Sequence, residues 1–93
     1  MQREKIMKIE KPSSIPFSLS DFYLAAFLLT KGLKLLGTDS NGKNRIHFLL
    51  DDSPDRPQLI EDYYAHRAVV DPLSFKDAVV NLKSFLHGLK QVS

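Results

Sequence analysis

Residues 18–32, SLSDFYLAAFLLTKG, are the most apolar part of the chain, and no side chain from Phe22 to Leu29 is charged. A segment that is apolar on every side is a membrane span, a buried central helix or a surface covered by another chain. A helix of about 13 residues spans roughly 20 Å, whereas the hydrocarbon of a bilayer is about 30 Å thick. The sequence therefore predicts a helix that lies mainly in the core of a protein without a membrane span.

Residues at both ends of this stretch predict where the helix begins and ends. Ser18 and Asp21 have the spacing of a capping box, in which each side chain bonds to the other residue's backbone N–H. Gly32 suits the left-handed backbone position that follows a helix. Together they predict a helix over residues 19–31.

The Asn41-Gly42 pair lies between two apolar runs and predicts a β-hairpin closed by a type I′ turn. In the register that this turn imposes, Ser40 pairs with Lys43. Alternation then places one set of residues on the core face and one on the outer face of the hairpin. The core face collects Leu33, Leu35, Gly37, Ile46, Phe48 and Leu50, and the outer face collects Lys34, Leu36, Thr38, Arg45, His47 and Leu49.

Two more helices follow the hairpin. Asp55 begins a second capping-box pattern, completed by Gln58, which predicts a helix to about Arg67. The last apolar run has helical periodicity and predicts a helix from Pro72 or Phe75 to about residue 89.

The predicted order of helix, two strands and two helices is typical of an α+β domain. We expect an antiparallel hairpin packed against three helices, over a single domain of residues 17–93. A short third strand would extend the sheet, formed by residues 5–10 or by Val69-Val70. Residues 1–16 mix charges with two prolines and predict a tail or a short edge segment.

Composition narrows the function classes. The absence of cysteine excludes disulfides and thiolate chemistry, and it suits a reducing cytoplasm. The net charge of +2 comes from residues 1–18, so the rest of the chain is neutral overall. That is a weak electrostatic footprint for a nucleic-acid-binding protein.

No motif predicts catalysis or a cofactor. Of the three histidines, His47, His66 and His87, His66 has Asp62 four residues before it, a spacing that on a helix is more typical of a surface pair than of a metal site. The DDSPD loop of residues 51–55 lacks the pattern of a calcium loop, and helix capping explains its carboxylates. Neither a nucleophile elbow nor a phosphate-binding loop is present. We therefore predict a non-enzymatic protein with no cofactor and no metal ion.

The remaining features favour binding. Leu36 and Leu49 on the outer hairpin face predict a protein interface, with a homodimer or another protein as partner. The alternative is nucleic-acid binding by the same face. Its contacts would be Lys34, Lys43, Arg45 and His47. A second group, Tyr63, Tyr64, His66 and Arg67, combines aromatic and basic side chains as single-strand stacking sites do.

The segments LAAFLLTKGLKLLG, RIHFLLDD and YYAHRAVVDPLSFKDAVVNLKSFL resemble a family of small uncharacterised bacterial and phage-associated domains. The similarity covers residues 17–89 and rests on structural features: the helix cap, the Lys31-Gly32 helix end, the hairpin and the last helix. The resemblance implies a short single-domain protein of unknown function and assigns no catalytic residue.

The outer-face hypothesis makes a direct prediction. Leu36→Lys or Leu49→Lys should shift a dimer to monomer in light scattering, because a buried unpaired charge opposes association. An unchanged mass and unchanged partner binding would contradict it. The nucleic-acid alternative instead predicts affinity that falls steeply with salt and is weakened by Lys34→Ala with Arg45→Ala.

Overall fold

The structure is a computed structural model that describes residues 15–40 and 45–92. Its strands are β1 (Phe17–Leu19), β2 (Leu35–Asp39) and β3 (His47–Leu50). Its helices are α1 (Phe22–Thr30), α2 (Arg56–Tyr64) and α3 (Pro72–Val92). β3 lies between β1 and β2 and pairs antiparallel with both. The predicted α+β class is confirmed, with a strand before the first helix.

α1 lies at the centre of the core. Every residue from Leu24 to Leu28 is buried. Consecutive residues point in all directions around a helix, so α1 needs a neighbour on every side. α2 and α3 pack against it, and the sheet adds Leu19, Phe48 and Leu50 to the same cluster. The prediction of a helix that lies mainly in the core is confirmed.

The predicted start of this helix is wrong. α1 begins at Phe22, and Ser18 lies in β1, paired with β3. Asp21 is the N-cap instead, and its Oδ1 accepts a hydrogen bond from the Leu24 N–H at 3.0 Å. Strand pairing buries Leu19 on the core face of the sheet. This tertiary contact outweighs the local capping pattern.

The predicted helix end is confirmed. Gly32 has a φ of +104°, in the left-handed region. Its N–H donates to the carbonyl of Leu29, and the Leu33 N–H donates to the carbonyl of Leu28, both at 3.2 Å. These two bonds define a Schellman motif, which satisfies carbonyls that a helix end otherwise leaves unpaired.

The hairpin is present, but its register differs from the prediction. Asp39 pairs with His47, so residues 40–46 connect the two strands. A two-residue turn would instead have paired Ser40 with Lys43. The predicted turn at residues 41–42 lies outside the described residues.

A β-bulge at Leu36 changes which side chains share a face. Residues directly opposite each other in a sheet lie on the same face. Thr38 lies opposite Phe48 and therefore faces the core side, whereas Gly37 lies opposite Leu49 on the outer side. The predicted faces of Thr38 and Gly37 are exchanged, because a register shift of an odd number of residues reverses the alternation.

A third strand extends the sheet, as one version of the prediction allowed, but Phe17–Leu19 forms it. Val69-Val70 lie in an irregular segment, and residues 5–10 lie outside the described part of the chain. Neither edge strand is long and regular: β1 has three residues and follows Pro16, and β2 is interrupted by a bulge. Such edges are poor templates for pairing with another strand.

α2 begins where the sequence predicts, with Asp55 as its N-cap, but the predicted capping box and the predicted helix end are wrong. The Asp55 side chain makes no capping hydrogen bond, and the Gln58 amide donates to the Asp62 carboxylate at 2.9 Å. α2 ends at Tyr64 and does not reach residue 67, because His66 adopts a left-handed φ of +64°. Histidine is one of the few residue types enriched in this conformation.

α3 begins at Pro72, one of the two predicted starts, and continues past residue 89 to Val92. The Asp71 carboxylate accepts a hydrogen bond from the Ser74 N–H at 2.9 Å, as an N-cap does. Within the described residues, no helix is long and apolar enough to cross a membrane.

Two glycines provide a matched test of the backbone. Gly32→Ala should lower the free energy of unfolding by about 1–2 kcal/mol, because a Cβ is strained at its positive φ. Gly88→Ala should raise it by up to about 1 kcal/mol, because Gly88 lies inside α3 with open space around it. Denaturant unfolding of both variants measures the difference. Equal changes in the free energy of unfolding would contradict the strained backbone position assigned to Gly32 at the end of α1.

Candidate functional site

An open groove of about 430 Å³ lies where α1, α2, α3 and the segment between α2 and α3 meet. We call it the aromatic groove. α1 contributes one residue to its lining and α3 another, and the rest come from the end of α2 and the segment after it. The lining residues are Phe27, Tyr63, Tyr64, His66, Ala68, Val70 and Phe75.

Ring contacts hold the aromatic walls of the groove in place. The Phe27 and Tyr63 ring centroids lie 5.4 Å apart, and those of Tyr63 and Tyr64 lie 5.2 Å apart at 80°. Tyr23 stacks on Phe75 with centroids 6.4 Å apart, which continues the wall beyond the lining residues. Aromatic pairs with these separations are favourable beyond the area they bury.

Asp21 connects the start of α1 to the end of α2. Besides capping α1 through Oδ1, it accepts a hydrogen bond on Oδ2 from the Tyr64 hydroxyl at 2.9 Å. This bond fixes a tyrosine side chain that is 59% exposed. The groove therefore has an exposed ring that keeps its orientation, with a carboxylate beside it.

The charge of Asp21 affects both tyrosines. Its hydrogen bond with the Tyr64 hydroxyl is the main cause that raises the pKa of Tyr64 above its ordinary value of 10.0. Burial is the main cause that raises the pKa of Tyr63, and the nearby charge of Asp21 adds to it. Asp21 therefore places one carboxylate charge beside this wall of the groove.

The turn after α2 orients the last part of the groove. The N–H groups of Arg67 and Ala68 both donate to the carbonyl of Asp62, at 2.8 and 3.1 Å. The Arg67 guanidinium also pairs with the Asp62 carboxylate at 3.1 Å and with Glu61 at 3.7 Å. The chain thereby reverses around His66 and brings residues 68–70 back towards α1.

The predicted interface lies on the three-stranded sheet, apart from the groove lining. Leu49 is half-buried on β3, between Ser18 of β1 and Gly37 of β2. Leu36 is 56% exposed at the bulge. We call this surface the outer sheet face. The structure confirms that Leu49 lies outside the core cluster, but it separates Leu36 from the regular ladder.

The residues of the nucleic-acid alternative are only partly brought together. His47 lies on β3 opposite Asp39, so a carboxylate is its direct neighbour. Arg45 precedes β3 and Lys34 precedes β2, and both side chains are exposed. Lys43 lies outside the described residues.

The acidic loop after β3 has structural partners. Asp52 accepts two hydrogen bonds from the Arg56 guanidinium, both at 3.1 Å, and one from the Ser53 N–H. The Arg56 bonds are the main cause that holds the pKa of Asp52 below its ordinary value. Among the described residues, no group of three histidine or carboxylate side chains is placed to hold a metal ion.

Sequence reasoning found three of the seven lining residues of the aromatic groove. It singled out Tyr63, Tyr64 and His66, and it missed Phe27 and Phe75. Those two residues belong to other helices, and both match the apolar pattern of ordinary core residues. Local spacing therefore carries no signal that they meet the tyrosines.

Residues 16–93 match the family described as Domain of unknown function (DUF5659). The chain belongs to this family. The expected membership in an uncharacterised family is thereby confirmed, over nearly the whole of the described structure. No match was found among curated proteins or among solved structures.

The tyrosine pair makes a prediction about titration. Asp21→Asn should lower the pKa of Tyr64 more than that of Tyr63, because burial is the main cause only for Tyr63. Asparagine caps helices about as well as aspartate, so α1 should stay folded. Cζ chemical shifts of the labelled tyrosines measure both values, and equal shifts would contradict the assignment.

The same hydrogen bond links folding to pH. The pKa of Tyr64 is higher in the folded chain than in the unfolded chain. The hydrogen bond therefore stabilises the fold below about pH 10, and this contribution is lost as the pH rises through the folded-state pKa. In Tyr64→Phe, the free energy of unfolding, measured with denaturant at several alkaline pH values, should therefore fall less steeply as the pH rises.

Proposed function

We propose that the chain is a non-catalytic protein-binding domain and that the aromatic groove is its binding site. The observation that carries this proposal is a concave, largely apolar groove with tyrosine and phenylalanine walls. Aromatic residues are enriched in the anchoring positions of protein interfaces. Its volume lies within the range of about 300–1,000 Å³ that is usual for ligand-binding sites.

Exposed apolar side chains also favour the groove over the outer sheet face. Tyr64 is 59% exposed and lines the groove, and Tyr23, which stacks on Phe75, is 53% exposed. Val69, between two lining residues, is 77% exposed. On the outer sheet face, Leu36 is the corresponding exposed apolar side chain. The expected contact through Leu36 and Leu49, in a homodimer, stays a prediction.

The charges near both surfaces favour a protein partner over nucleic acid. A carboxylate stands at each: Asp21 beside the groove and Asp39 opposite His47. Arg67 is paired with Glu61 and Asp62. A phosphate backbone needs a concentration of unpaired cations, and in the described part of the chain the groove lacks one and the outer sheet face is flanked only by Lys34 and Arg45. A reducing cytoplasm, in a bacterial or phage setting, is part of the same proposal.

A selection of random displayed peptides on the full chain tests this function. Enriched peptides should bind the wild type and lose about tenfold in affinity with Tyr64→Ala, because an anchoring ring is removed. Val80→Ala is the matched control: it also truncates an exposed apolar side chain, on α3 outside the groove lining, and should leave affinity unchanged.

Two results would contradict the proposal. Peptides that bind Tyr64→Ala as well as the wild type, but lose affinity with Leu36→Lys, would move the site to the outer sheet face. No enriched peptide, together with salt-sensitive binding of a labelled single-stranded oligonucleotide, would favour the nucleic-acid alternative.

A further inference from the structure

Resting on the proposed function, we propose that the aromatic groove binds an arginine side chain of a protein partner. The guanidinium would stack on the ring faces of the groove with its N–H groups towards Asp21. The proposal follows from a contact that the chain makes within itself and from the charges around the groove.

The chain contains an arginine held between a ring and a carboxylate. The Arg56 guanidinium carbon lies 3.9 Å from the centroid of the Phe17 ring. The same guanidinium donates to both oxygens of Asp52. Guanidinium groups combine these two contacts well, because they are planar and carry donors in a fixed fork.

The groove presents the same pair of groups. The Tyr64 ring stands beside the Asp21 carboxylate, 2.9 Å from hydroxyl to Oδ2. Each carboxylate oxygen has two lone pairs. Oδ1 accepts from the Leu24 N–H and Oδ2 from Tyr64, so each keeps one acceptor site. Among the described residues, no cationic side chain forms an ion pair with Asp21.

Two cations close to the groove have contacts within the chain itself. Arg67 forms ion pairs with Asp62 and Glu61. The Lys31 ammonium lies 5.6 Å from the ring centroid of Phe27, a lining residue. A ring of the groove therefore already attracts a cation from its own chain, as electron-rich ring faces do.

Arginine fits this site better than lysine. A guanidinium is more weakly hydrated than an ammonium, so it loses less on entering a groove with apolar walls. Its apolar stem can also pack along the tyrosine and phenylalanine rings. A lysine side chain would offer a point charge and no planar face to stack.

A peptide pair that differs only in charge tests the occupant. The probe is acetyl-Gly-Arg-Gly-amide, and its matched control contains citrulline, a neutral isostere of arginine. In ¹H–¹⁵N spectra of the full chain, the arginine peptide should shift the amide signals of residues 63–70. The citrulline peptide should bind about tenfold more weakly, because it lacks the charge that ring faces and a carboxylate attract.

Asp21→Asn supplies the protein side of the test. It keeps the cap for α1 through its one amide oxygen and removes the charge, and its NH₂ group then takes the place of Oδ2 and can donate a hydrogen bond to the Tyr64 hydroxyl. The variant should bind the arginine peptide about as weakly as the citrulline peptide binds the wild type. Added salt should weaken the arginine complex of the wild type and leave the citrulline complex unchanged.

The outcomes separate the occupant from the function. Equal binding of both peptides in the groove would show an apolar occupant and overturn the arginine proposal. Arginine-dependent shifts confined to the acidic loop at residues 51–55 would overturn it as well. If neither peptide binds while neutral selected peptides do, protein binding stands and arginine recognition fails.

Discussion

The burial of α1 on every side is the constraint on which the rest of the structure depends. Consecutive residues from Leu24 to Leu28 are all buried, so one neighbouring layer could not cover them. The sheet lies on one side of α1, and α2 and α3 lie on others. The aromatic groove lies between α2 and α3 where both pack against α1. Its lining takes Phe27 from α1, Tyr63 from α2 and Phe75 from α3.

The parts of the fold that could be predicted are those whose chemistry is local. Gly32 ends α1 because a single residue must adopt a positive φ, and the amphipathic period of α3 extends over many residues. The start of α1 and the hairpin register depend on distant partners. Ser18 has the spacing of a capping residue, but it lies in β1, which pairs with β3. The register of β2 depends on which residues the core buries.

In the aromatic groove too, the features that could be predicted are the local ones. Tyr63, Tyr64 and His66 adjoin in sequence, so their combination was visible before the structure. The bond from Tyr64 to Asp21 joins residues 43 positions apart, and no local pattern encodes it. Nor does a sequence show that His66 ends α2 by a left-handed φ, since glycine more often takes that position. Without that turn, Ala68 and Val70 would not line the groove.

Asp21 caps α1 and also places a charge beside the aromatic groove. Serine, asparagine and aspartate all cap helices well, so the cap alone does not require a charge. A carboxylate adds a negative potential at two tyrosine rings, which no neutral cap would supply. Because the Leu24 N–H and the Tyr64 hydroxyl each donate to one of its oxygens, the carboxylate already has a fixed orientation in the unbound chain. A preorganised group loses little conformational entropy on binding. The cap of α1 and the charge beside the groove are therefore set at a single position, and under the proposed function a substitution that keeps the cap would still change what the groove binds.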